Sequence, residues 1–255
     1  MTPIPSGTHS NGPIFDPQDL AFTQMIHLAS ALRKFDHGAG SMEDVANRIV
    51  HYFHDHLVSL QTNQKACVLA RLFKTHSFGE LEPGLRKFAT TLLGDTAASP
   101  AMKCLVLLAT AGEKPEWNSR AQSTGHKAIP LPSEQAIEKI PMIARLFSQL
   151  GLSSDALLSP DPALLLEIQQ TTFNVFHVPE AEGSPYVPAQ KEFVIPQGVR
   201  SVLGYGGLLP NGDLFAVILF LRVYVPRATA DLFKTLAMST RLALVPFAGH
   251  KVFAE

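Results

Sequence analysis

Gly198-Val-Arg-Ser-Val-Leu-Gly-Tyr-Gly-Gly-Leu-Leu-Pro-Asn-Gly-Asp-Leu-Phe-Ala-Val-Ile-Leu-Phe-Leu-Arg222 is the stretch whose reading decides the fold. Strand-like runs over 197–209 and 214–225 flank Pro210-Asn211-Gly212-Asp213. Asn-Gly supplies the positive φ angles of a type I′ turn, so the spacing predicts a β-hairpin with antiparallel pairing. Downstream, Leu232, Phe233, Leu236, Ala237, Thr240 and Ala243 share one side of a helix over about 229–244, which Pro246 ends.

Upstream of the hairpin, Lys65-Ala-Cys-Val-Leu-Ala-Arg-Leu-Phe73 is apolar on both faces and closes on Arg71, Lys74 and His76. That pattern suits a central strand that delivers polar groups to one end of a sheet. Residues 102–111 read as a second such strand, and Leu85, Phe88, Ala89 and Leu92 mark a helix between the two, over 83–93. Two helices are expected before them. Asp16-Pro17 opens the first, which runs to about Phe35, and Ser41 caps the second, with Val45, Ile49, Val50, Phe53 and Leu57 as its buried stripe. Residues 112–132 break into polar residues, Gly and Pro; a helix follows over 133–150, kinked or divided by Pro141, and a short helix is expected over 159–168. The expected fold is therefore α+β: one antiparallel sheet with helices 17–35, 41–58 and 229–245 packed on it. Residues 1–15 are read as a flexible tail, 16–255 as one domain, and about 112–165 as a helical insertion or lid within it.

The chain has 255 residues, 46% hydrophobic and 17% charged, which can bury a sizeable core and is unlike a disordered composition. With 21 basic and 22 acidic side chains the formal net charge is −1, and no global field draws in nucleic acid or an anionic membrane. The longest apolar runs fall short of the roughly 20 residues a membrane helix needs, so no membrane span is expected. The first 13 residues lack a basic segment followed by an apolar one, which argues against a signal peptide and for a cytoplasmic protein. Cys67 and Cys104 are neither a disulfide framework nor at zinc-site spacing, and read as reduced, buried thiols.

The closing pattern of Gly-rich strand, hairpin, Pro226 and a helix of the Asp231-Leu-Phe-Lys-Thr-Leu-Ala type resembles the end of GAF domains, and the helix feeding the strand at Ala66 resembles their opening. Three further stretches, Phe73-Lys-Thr-His-Ser-Phe-Gly-Glu-Leu81, Glu116-Trp-Asn-Ser-Arg120 and Phe176-His-Val-Pro-Glu-Ala-Glu-Gly-Ser-Pro-Tyr186, are similar to the N-terminal input region of some bacterial sensor histidine kinases. The resemblance implies a GAF/PAS-like sheet flanked by helices and a signal-input role, with small-ligand binding or dimerisation. No phosphate-binding glycine loop or transmitter helix is present, so the resemblance places the output, a histidine kinase or another module, in a partner or in further sequence.

The irregular loop carries the most suggestive chemistry. Trp117, Arg120 and His126 combine an aromatic face, a guanidinium and an imidazole outside regular structure, which suits a pocket wall. Arg71, Lys74, His76 and His177 are the candidate residues facing them, and this excess of donors favours an anionic or carbonyl-bearing small molecule. Arg120 is read as an exposed loop residue whose loss weakens binding without changing stability. His51, His54 and Asp55 fall on or near one helix face, ordinarily solvated; two histidines with a carboxylate from elsewhere is the metal or haem alternative. Gly204, Gly206 and Gly207 begin like a dinucleotide fingerprint, but Leu209 stands where the third glycine belongs and a hairpin follows. Close backbone approach in a strand is their ordinary role.

No nucleophile elbow or recognisable Cys-His pattern is present, so no catalytic residue is assigned, and no cofactor is named. Three readings stand: a non-catalytic sensory domain, a small-molecule enzyme on the same scaffold, and a ligand-free dimerisation module. A homodimer through helix 17–35 beside helix 229–245 is expected, because Leu20, Phe22, Met25, Ile26, Leu28 and Leu32 form more than one narrow stripe.

Overall fold

The computed structural model describes residues 12–152, 158 and 174–254. The helix expected at 159–168 and residues 1–11 of the expected tail lie outside these. Phe15, also expected in the tail, is instead buried: its N–H donates to the His56 carbonyl at 2.9 Å and its carbonyl accepts from Val58 N–H at 3.0 Å.

Helix α1, Phe22–Leu32, begins five residues later than Asp16-Pro17 suggests. Asp16 is drawn elsewhere: its carboxylate accepts from Gln18 N–H at 2.9 Å and Leu60 N–H at 2.8 Å, an Asx-type turn that ties the entry segment to the chain beyond the second helix. The first turn of α1 is closed by Gln24, whose Oε1 accepts from Ala21 N–H. Helix α2, Met42–His56, starts as the sequence suggests, with Ser41 Oγ accepting from Asp44 N–H and the Asp44 carboxylate accepting from Ser41 N–H.

The remaining elements are the small hairpin β1, Val58–Ser59, and β2, Gln64–Lys65; the long strand β3, Cys67–Ser77; helix α3, Pro83–Leu93; and β4, Lys103–Gly112. There follow β5, Ala128–Leu131; α4, Glu134–Glu138; α5, Pro141–Leu150; β6, Phe176–Val178; β7, Ser201–Leu208; and β8, Leu214–Leu221. The chain closes with α6, Arg227–Leu232, and α7, Lys234–Leu244. Pro141 divides the expected single helix into α4 and α5. The stretch expected as an insertion thus contributes an edge strand of the sheet, β5.

One six-stranded sheet in the order β5-β4-β3-β8-β7-β6 organises the molecule, and every neighbouring pair in it is antiparallel. Against one face pack α1, α2 and α7, with Leu28, Ile49, Phe53, Leu72, Tyr205, Phe215 and Leu236 in one core. The other face carries a second core in which Phe73, Leu107, Ile218 and Phe220 meet Phe147 and Leu150 of α5 and the segment 187–199. The tyrosine hydroxyl of Tyr205, fully buried in the first core, finds Thr240 Oγ1 of α7 at 3.0 Å. Helices leading into an antiparallel sheet, a closing hairpin and a terminal helix give the α+β architecture expected from the sequence.

The hairpin turn differs from expectation in type. Gly212 alone takes a left-handed backbone, φ 81°, and its N–H donates to the Leu209 carbonyl at 2.9 Å. Pro210 and Asn211 therefore form the corner and Gly212 the left-handed residue after it, the three-residue loop that a type I turn with a bulge produces. Proline at the first corner position explains the preference, since its ring fixes the φ that a type I turn needs and a type I′ turn forbids.

The strand glycines serve backbone packing. A Cβ on Gly206 would run into the Phe215 carbonyl oxygen, and one on Gly204 would come within 2.7 Å of Ile218 Cδ1. We expect Gly206→Ala to lower the unfolding free energy by about 1–3 kcal/mol. Gly125→Ala, whose Cβ would enter open space, should change it by less than about 0.5 kcal/mol in the same denaturant titration.

Candidate ligand site

Strand alternation sorts the polar residues of β3 onto opposite faces. Arg71 pairs in register with Thr110 on one side and Ile218 on the other, and so lies on the face of the second core. Lys74, three residues on, pairs with Phe215 of the first core and lies on the helical face. Arg71 and Lys74 cannot line one pocket.

On the Arg71 face a cavity of about 50 Å³ is bounded by Arg71, Thr110, Glu116, Trp117 and residues 122–124. Thr110 is 1% exposed, and neither its Oγ1 nor the Arg71 Nε has a hydrogen-bond partner. The Arg71 guanidinium makes no ion pair among the described residues, and burial alone pushes its pKa down to about 10. A desolvated cation without a counter-charge is a costly arrangement that folded chains rarely retain without use.

The loop over this cavity is built, not loose. Asn118 Oδ1 accepts from Gly112 N–H at 3.0 Å, while Nδ2 donates to the carbonyls of Gly112 at 2.9 Å and Lys114 at 3.0 Å. The 3-10 turn Pro115–Trp117 is thereby pinned to the end of β4, and Trp117 fills the space that a side chain at Gly112 would need. The indole meets Phe193 edge-on at 5.5 Å, and Lys114 Nζ stands 5.0 Å from the ring centroid. Ser123 Oγ donates to the Gly125 carbonyl, and His126 holds a left-handed backbone at φ 60°. Local desolvation and then the nearby Arg71 charge keep the His126 imidazole below its ordinary pKa, although the residue as a whole is exposed. Arg71, Trp117 and His126 thus come together.

The other four sequence candidates are placed elsewhere. Lys74, 2% exposed, donates to Asp213 Oδ2 at 2.6 Å and to the Thr75 carbonyl at 2.8 Å, while Lys103 donates to Asp213 Oδ1 at 2.8 Å. This cluster joins β3, β4 and the β7–β8 turn. His76 lies beside it: Nδ1 accepts from Lys74 Nζ at 3.3 Å and Nε2–H donates to the Glu80 carbonyl, and burial followed by Lys74 holds its pKa low. His177 is buried on β6, where Nε2–H donates to the Val225 carbonyl at 3.0 Å.

Arg120, read from sequence as an exposed loop residue, is largely buried and doubly paired. Its Nε donates to Glu43 Oε1 at 2.7 Å, NH1 donates to Glu82 Oε2 at 3.1 Å, and the guanidinium stands 5.0 Å from the Phe253 ring centroid. It clamps the loop to α2, to the start of α3 and to the C-terminal segment. Its loss should therefore cost stability, contrary to the expectation for a solvated arginine. Thr110 was missed because it sits within an apolar run, and only its cross-strand register with Arg71 reveals it.

Beside the α2 histidines Asp55 is already partnered: Lys65 Nζ donates to its Oδ1 at 2.7 Å, with His54 Nδ1 3.3 Å from the same oxygen. Among the described residues no group of three or more His, Cys, Asp and Glu side chains is arranged to hold a metal. Cys67 and Cys104 are buried free thiols whose pKa burial pushes up to about 12. No helix among the described residues is long and apolar enough to cross a membrane.

No family model matches the chain, and no curated protein matches it. Among solved structures it is similar to the phycoerythrobilin-bound GAF domain from a cyanobacterial phytochrome, at 10% identity and a TM-score of 0.40, over 90% of this chain and 96% of that one.

Asp213 sets the acid limit of this architecture. Burial opposes its ionisation, yet Lys74 and Lys103 together hold its carboxyl below the ordinary range. A depressed carboxyl pKa contributes stability above its unfolded value, and that contribution is lost as pH falls through the folded value. We expect Asp213→Asn to cost about 3–5 kcal/mol near neutral pH by leaving the buried Lys74 and the half-buried Lys103 without their carboxylate. Urea titrations across the acid range should show a shallower fall in stability for the variant than for the parent chain.

Proposed function

We propose that this chain is a non-catalytic signal-input domain that binds a small, anionic ligand over Arg71 and regulates a partner or output module, such as a histidine kinase. The half-buried Arg71 guanidinium, unpaired and with its Nε out of reach of water beneath an ordered aromatic loop, carries this reading. An arginine whose role was to hold the sheet together would have its own carboxylate, as Lys74 and Arg120 do. A vacant donor beside a cavity is instead ready for an acceptor that arrives from outside. Cysteine-based covalent catalysis is disfavoured, because both thiols are buried and held protonated.

For output we propose a homodimer through α1 and α7. Arg33 Nε of the α1 C-cap donates to Ser239 Oγ of α7 at 3.1 Å, so the two helices lie side by side. Phe22 and Ile26 on α1, with Met238 and Leu242 on α7, are all at least half exposed. Each pair is four residues apart and shares a helix face. An apolar ridge on two adjacent helices is suited to packing against its own copy.

Native mass spectrometry of the purified protein tests both parts at once. The expected spectrum is a dimer retaining a small molecule. Arg71→Met and Trp117→Ala should remain dimeric and lose that molecule, whereas Ile26→Glu with Leu242→Glu should give monomers of near-parental stability, because both positions are exposed. A monomer carrying no small molecule would leave both parts without support.

A further inference from the structure

We infer that the Arg71 cavity takes a singly charged, planar oxyanion: a carboxylate head, nitrate or bicarbonate. This rests on the cavity being the binding site of the domain, and it adds charge, shape and size.

The charge follows from counting the groups that bound the cavity. Arg71 is the single cation among the described lining residues, and Glu116 is a carboxylate at the exposed rim. His126, next to Arg71, is disfavoured as a second cation by desolvation first and then by that neighbour's charge. Lys114 is directed to the Trp117 ring and is not part of the lining. One half-buried positive charge balances one negative charge. A dianion would bring a surplus charge into a poorly hydrated space and toward Glu116.

Shape and size follow from the donors and the volume. A guanidinium offers a planar fork of N–H groups that takes two oxygens of one oxyanion at once, so the preference for a planar monoanion over a tetrahedral dianion rests on charge and volume. Thr110 Oγ1, buried and without a partner, is in cross-strand register with Arg71 and supplies a hydroxyl for a further oxygen. About 15 Å³ admits one water-sized group, so about 50 Å³ admits roughly three or four, the size of a carboxylate, nitrate or bicarbonate. Nothing as large as a nucleotide or a tetrapyrrole fits beneath the loop as it stands.

The chain has one tryptophan, and it bounds this cavity, so intrinsic fluorescence reports directly on occupancy. The test is titration of the full chain in chloride buffer at fixed ionic strength with formate, acetate, nitrate and bicarbonate. Sulfate, phosphate and neutral acetamide serve as counter-probes, with calorimetry in parallel. We expect at least one planar monoanion to perturb Trp117 and bind saturably, with sulfate, phosphate and acetamide at least tenfold weaker. Formate and acetate outcompeting the inorganic ions would mark a carboxylate head, and the reverse order an inorganic ligand. Arg71→Met should weaken the preferred anion by about ten- to a hundredfold, and Thr110→Val by a smaller factor. Both variants must keep the parental near-UV spectrum for the comparison to stand. Arg71-dependent binding of sulfate or phosphate at equal or greater strength would overturn the inference about ligand class while leaving the cavity as the site. Failure of every planar monoanion would overturn it too, and anion binding indifferent to Arg71→Met would overturn the site with it.

Discussion

The register of β3 between β4 and β8 is the constraint on which the rest of the molecule depends. Residues 69–74 of this strand have a neighbour on both sides, so a shift by one position would turn their side chains over. Leu72 would leave the helical core, Arg71 would enter it, and Thr110 would lose its cross-strand partner. The Lys74–Asp213–Lys103 cluster opposes that shift, because it joins all three strands at one end through charges that cannot be buried unpaired. Apolar burial alone tolerates small slips; a buried ion cluster does not. The candidate site is thus held in place from the opposite face of the sheet, by residues that take no part in it.

The same reasoning separates two uses of buried charge in one small fold. Lys74 is enclosed and satisfied: a carboxylate, a backbone carbonyl and the His76 ring all meet its ammonium. Arg120 is satisfied as well, by two carboxylates and an aromatic ring, and fixes the cavity loop to α2, α3 and the C-terminal segment. Arg71 has no such company. Of these three cations, only Arg71 lacks an answering charge, and it is the one beside a cavity.

Much of this was legible in the sequence, and what was not has definite causes. The hairpin, the helix after it, the capping of α2 by Ser41 and the two long strands all follow from period and turn chemistry. β5 and β6 escaped notice because Ala128–Leu131 and Phe176–Val178 are too short to show a period, and they form only against strands already in place. The start of α1 was misplaced because Asp16 caps a turn whose second donor, Leu60, lies far along the chain. In the site, Trp117 and His126 announced themselves by residue type in an irregular loop. Lys74 and His76 entered the same list through proximity in sequence, although two-residue alternation sends Lys74 and Arg71 to opposite faces. Arg120 looked solvated because Glu43 and Glu82, distant in sequence, were not foreseeable as its partners.

The central claim is that Arg71 is held for a ligand and not for the fold, and thermal or chemical unfolding of Arg71→Met in thoroughly desalted, ligand-free protein tests it most directly. Removing this half-buried, uncompensated charge should leave the chain at least as stable as the parent. A loss of more than about 2 kcal/mol would mean that the guanidinium supports the structure, and would contradict the account.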